Sequence, residues 1–174
     1  MKKIKQLALL LEETNYQAAL KLFMVNFTEY TKKPRLSAFR EVLTLSDDEL
    51  RPILQVMDHA LMDDVSGMLI RANYRKKKSL TSTIWYCEEL IDQGMFIEAE
   101  ELLLTLLQAD ITQIEEEKIV YNMAIACIRM RRYQAAFNYM KKCEDLSPHS
   151  MKSRWGYYYL HKGEWDEGVK QLLE

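Results

Sequence analysis

Residues 117–150 read EKIVYNMAIACIRMRRYQAAFNYMKKCEDLSPHS, two amphipathic stretches on either side of a short polar corner at Met130-Arg131-Arg132. Just ahead of them, Thr112-Gln113-Ile114-Glu115 is a Thr-x-x-Glu capping box, whose threonine and glutamate satisfy early helix donors reciprocally. Behind them, Ser147-Pro148 offers a cap and a proline suited to the first position of a following helix. The small residues Ala124, Cys127, Ala136 and Cys143 recur where two helices must approach closely, and Tyr133, Met140 and Leu146 supply the bulk between them. The stretch therefore predicts a tightly packed helix pair followed by another helix.

This pair resembles the tetratricopeptide repeat, a 34-residue helix-turn-helix unit. A unit beginning at Glu117 aligns without a gap through Ala124, Cys127, Tyr133, Ala136, Met140, Cys143 and Pro148. Val120 replaces the usual tryptophan, and Arg131 replaces the glycine of the turn. Residues 80–113 repeat the pattern through Cys87, Leu90, Gly94, Phe96, Ala99 and Leu103. Residues 149–174 repeat it, incompletely, through Trp155-Gly156, Tyr159, Gly163, Trp165, Gly168 and Leu172. At the amino end, Tyr16-Gln17-Ala18-Ala19-Leu20 parallels Tyr133-Gln134-Ala135-Ala136-Phe137. The resemblance implies an all-α, right-handed α-solenoid, in which neighbouring pairs stack because none can bury its faces alone.

The expected organisation is a degenerate helix pair at 1–33, an irregular helical segment at 34–79, and repeats over 80–174. In the middle segment, Pro34 ends the first pair and Ser37 to Leu45 reads as a short helix. Ser46-Asp47-Asp48-Glu49 forms a second capping box, and Pro52 predicts a kink or a displaced helix start. Residues 53–74 predict one or two amphipathic helices. At the far end, Val169, Leu172 and Leu173 present an apolar stripe, for which a continuing chain or a homodimer through the C-terminal helix is expected.

Composition agrees with this class. The 174 residues are 48% hydrophobic and 29% charged, and only five glycines and three prolines interrupt them, which favours long helices. Lys plus Arg is 24 against 26 for Asp plus Glu, a net charge of −2 that exerts no general pull on nucleic acid or anionic membrane. No apolar run approaches the ~20 residues of a membrane span. Leu7 to Leu11 after a lysine-rich start ends at Glu12-Glu13 without a signal-peptide cleavage pattern. Three cysteines without CxxC spacing fit reduced thiols and a cytoplasmic location.

No Gly-rich phosphate loop, nucleophile triad or carboxylate pair suggests an enzyme, and no cofactor is expected. His59 and Asp63, four apart, are the best metal pair, but no second ligand pair accompanies them. The basic run Arg71, Arg75, Lys76, Lys77, Lys78 is the candidate for phosphate contact; its simpler reading is a solvated connector. Cys127 and Cys143 read as packing thiols, as does Cys87.

In tetratricopeptide repeats the first helix of each pair lines a concave groove. Carried over, this places Tyr121, Asn122, Ile125, Arg129, Arg154 and Tyr157 in a peptide-binding groove, with Lys118, Glu88 and His161 beside them. An amide offers donor and acceptor to an extended backbone, and a guanidinium grips a carboxylate in two-pronged fashion. Ser150 stands where a full carboxylate clamp would require lysine. The expected function is an adaptor or scaffold that binds a peptide or protein segment. The run Glu88 to Phe96 followed by Glu98-Ala99-Glu100-Glu101-Leu102 is also similar to the peptide-sensing regulators of Gram-positive bacteria and their phages, the Rap and arbitrium-receptor type. That likeness implies a peptide-responsive transcriptional regulator, or its sensor part, as the alternative.

Overall fold

The computed structural model describes residues 2–27, 43–60 and 62–173, and among them every regular element is helical. The helices are α1 (Lys2–Glu12), α2 (Tyr16–Phe27), α3 (Asp47–His59), α4 (Asp63–Lys77), α5 (Leu80–Asp92), α6 (Phe96–Leu106), α7 (Gln113–Arg129), α8 (Tyr133–Leu146), α9 (Met151–Lys162) and α10 (Trp165–Leu173). None is long and apolar enough to cross a membrane. The chain divides into two compact units at Ser82 and Thr83, inside the first turn of α5.

In the first unit, α1 packs on α2, both pack on α3, and α3 packs on α4. Leu7, Ala19, Leu50, Ile53, Met57 and Leu69 are fully buried there. The Ser46 box forms as expected: the Glu49 amide donates to the Ser46 hydroxyl at 3.3 Å, and the Ser46 amide donates to the Glu49 carboxylate at 3.0 Å. Helix α3 accordingly starts at Asp47 and carries Pro52 inside, so the displaced start does not occur. Proline withholds a single amide donor at this point, and the reciprocal cap holds the turn before it. Residues 53–74 fall into two helices, one ending at His59 and the next beginning at Asp63. That break separates His59, the end of α3, from Asp63, the start of α4, and removes the shared helix face that the metal pair requires. The His59 side chain, Pro34, the Lys32-Lys33-Arg35 cluster and most of the expected 37–45 helix lie outside the described residues.

In the second unit, α6 packs on α7, α7 on α8, α8 on α9, and α9 on α10. Val120, Ala124, Cys127, Ala136, Met140, Cys143 and Trp155 form its continuous core. Trimming Met140 to alanine there would cost about 2–5 kcal/mol. Phe137 of α8 meets Trp155 and Tyr158 of α9 at ring-centre distances of 5.4 and 6.2 Å, and these contacts fill the seam between the two helices. Thr112 caps α7 as expected. Ser147 gives its side chain to no cap; Pro148 opens a 3-10 turn to Ser150 before α9 begins at Met151.

Four corners share one backbone design. Thr14, Gly94, Arg131 and Gly163 have φ of 54°, 79°, 59° and 90°, the left-handed region. After each, the next amide reaches back five residues, from Asn15 to Leu10, Met95 to Leu90, Arg132 to Cys127 and Glu164 to Tyr159, at 2.8–2.9 Å. This is the Schellman arrangement that satisfies a helix's last carbonyls. An aromatic residue opens the following helix each time (Tyr16, Phe96, Tyr133, Trp165), and three residues on a small one is buried (Ala19, Ala99, Ala136, Gly168). The small residue admits the preceding helix closely: a Cβ on Gly168 would stand 2.8 Å from Leu160.

Candidate functional site

The first helices of three successive pairs, α5, α7 and α9, are joined side by side by polar rungs. The Asn122 amide on α7 donates to the Glu88 carboxylate on α5 at 3.1 Å. One pair further on, the Arg154 guanidinium on α9 forms an ion pair with Glu117 on α7, their side chains only 19% and 12% exposed. The same guanidinium lies over the Tyr121 ring, 4.1 Å from its centre. Tyr157 follows on α9, half-buried, with its ring 4.1 Å from that of His161.

Tyr121, Arg154 and Tyr157 are thus brought together, and Asn122 sits one rung away. Ile125 is half-buried and packs on the core. Arg129 is exposed in the last turn of α7, where a cation complements the helix dipole. Both polar groups expected to meet a ligand, Asn122 and Arg154, instead hold carboxylates of the preceding first helix. The pairing of Glu117 with Arg154 was not legible in the sequence, because the partners lie 37 residues apart and meet only once the helices stack.

The electrostatics of this face are mixed. Burial pushes the Glu88 carboxyl up from its ordinary pKa, while the Asn122 bond and nearby Lys118 pull against that rise and Asp92 adds to it. Burial also raises the Tyr121 phenol, with Arg154 opposing. The Cys87 and Cys143 thiols are pushed up to about 12, chiefly by burial, and stay protonated at neutral pH. Among the described residues no group of three or more His, Cys, Asp and Glu side chains could hold a metal ion.

The basic run takes a different form. The Lys76 ammonium donates to the Leu43 carbonyl at 2.8 Å, and Lys77 donates to the Leu45 carbonyl and to Asp47. Lys78 is the left-handed C-cap of α4, with φ of 51°. Arg71, Arg75 and Lys76 line one shallow groove with Met68 and Ala72. Asp47 is the hub beneath: it accepts from Asn73 and Lys77 at 3.0 Å and from the Ser79 hydroxyl at 2.5 Å. Burial pushes its carboxyl up, but those three hydrogen bonds outweigh it and hold the pKa below the ordinary value. Two of the five expected phosphate contacts are therefore engaged in closing the end of α4 on the start of α3.

No protein family, curated protein or solved structure matches this chain.

Proposed function

We propose that this chain is a tetratricopeptide-like α-solenoid that binds a peptide or protein segment along the face of α5, α7 and α9, as an adaptor or scaffold. The observation that carries the reading is the pair of rungs, Glu88–Asn122 and Glu117–Arg154. They put an amide and a guanidinium on one face in consecutive units, each already holding a carboxylate. A bound segment exchanges its own carbonyl or carboxylate for these internal ones, and the rings of Tyr121 and Tyr157 give its side chains a flat surface. The four equivalent corners support the repeat assignment.

Capture from a peptide library tests this. Enriched sequences should bind the native chain and lose at least tenfold in affinity with Asn122→Ala plus Arg154→Ala. A library that yields nothing, or binding indifferent to both changes, removes the proposal. Exposed Trp165, Val169, Leu172 and Leu173 give the surface for a homodimer through α10; sedimentation with and without Leu173→Glu decides that part.

A further inference from the structure

The first unit has an open cleft of about 590 Å³ between α1, the start of α2 and α3. Its floor is apolar, built from Ala8, Leu11 and Pro52, with Pro52 buried and the other two half-buried. Its rim is acidic: Glu12 on α1 and Asp48 and Asp58 on α3 are all exposed. Arg51, the one cation among the described lining residues, lies 3.7 Å from Asp48, a loose pair whose aspartate stays 93% exposed. The stripe arises from helix geometry, because Asp48, Pro52, Gln55 and Asp58 recur at three- and four-residue spacing along one side of α3.

We infer that this cleft is a docking site for a basic, extended segment of a partner protein, with one aliphatic side chain on the floor and flanking Lys or Arg side chains on the acidic rim. Charge complementarity selects the partner: among the described lining residues, three carboxylates against one guanidinium repel an acidic segment and attract a basic one. Spacing selects the length. Ten residues of α3 separate Asp48 from Asp58, about 15 Å at ~1.5 Å per residue. An extended chain at ~3.3 Å per residue covers that in four to five residues. The cations of the ligand therefore stand about four residues apart, with the apolar residue between them. This inference does not rest on the proposed face of α5, α7 and α9, and neither stands or falls with the other.

The probe is a fluorescein-labelled peptide Gly-Lys-Ala-Leu-Ala-Lys-Gly, titrated with the full chain and followed by anisotropy. Binding should weaken with salt, as exposed pairs do. Asp48→Asn with Asp58→Asn, both exposed, should lower affinity about tenfold, the sum of two rim pairs of ordinary strength. The same charge change at exposed Glu101 and Asp110 should leave it unaltered. Ala8→Leu, which fills the floor without altering charge, should also weaken it, with far-ultraviolet circular dichroism confirming that the helices remain. The same peptide with Glu for Lys should not bind. Equal losses from the rim and control pairs, indifference to Ala8→Leu, or no binding at millimolar concentration would each overturn the inference.

Discussion

Removing Arg154 should cost the second unit far more than removing an ordinary surface arginine. Its guanidinium and the Glu117 carboxylate are 19% and 12% exposed, so the pair lies much nearer the buried than the solvated case. Breaking a buried pair by deleting one member costs about 3–5 kcal/mol, an exposed one about 0–1, and the residual exposure here puts the loss at about 2–3. Losing the stack on Tyr121 adds about 0.5–1 kcal/mol, for a total of about 3 in Arg154→Ala. Glu117→Gln leaves the cation facing an amide and should cost about 1–2 kcal/mol. In the double variant no charge is stranded, and about 2 kcal/mol of lost packing remains. The cycle should therefore show about 2 kcal/mol of coupling, where independent sites would give none. Urea unfolding followed by tryptophan fluorescence measures it cleanly, because Trp85, Trp155 and Trp165 all lie in the Thr83–Glu174 unit. Additivity of the two single changes within about 0.5 kcal/mol would refute the argument.

Three further outcomes are expected. Arg131→Gly should stabilise the second unit by about 0.5–1 kcal/mol in the same assay, since φ of 59° strains a residue with a Cβ by more than glycine's added chain entropy costs. Asp47 is held below its ordinary pKa, so its contribution is fully present above about pH 4 and is lost as pH falls through the lowered folded value. Hydrogen-exchange protection factors in α3 and α4, corrected for the intrinsic rate at each pH, should fall on acidification, and Asp47→Asn should flatten that dependence. Glu88 has the opposite sign: its raised folded pKa means that ionisation opposes folding, so Glu88→Gln should stabilise at neutral pH, and the gain should vanish below about pH 4.

Features set by neighbours along the chain were legible in the sequence, and features set by stacking were not. The capping boxes at Ser46 and Thr112 depend on residues three apart, and both form. The echo between Tyr16-Gln17-Ala18-Ala19 and Tyr133-Gln134-Ala135-Ala136 marks two corners with the same backbone path. Ser147 misled because a proline directly after it led into a 3-10 turn, with α9 starting three residues further on. Of the two outcomes expected at Pro52, the displaced start does not occur, because the reciprocal cap at Ser46 fixes the first turn five residues earlier. Asn122 and Arg154 were legible as side chains on one face; their occupation by Glu88 and Glu117 was not, since 34 and 37 residues separate the partners. The basic run read as solvated charge, yet Lys76 and Lys77 reach carbonyls more than thirty residues back, a contact that no local pattern encodes.

The four corners carry a consequence for how such a chain changes over generations. Threonine and arginine occupy two of them and glycine the other two, with main-chain hydrogen bonds drawn from the same relative places. The corner is thus specified by torsion and by one small buried residue downstream, and threonine and arginine serve at its tip, at a cost in strain, where glycine serves freely. A change of residue at such a tip leaves the path of the backbone in place, as three different residue types at four corners show.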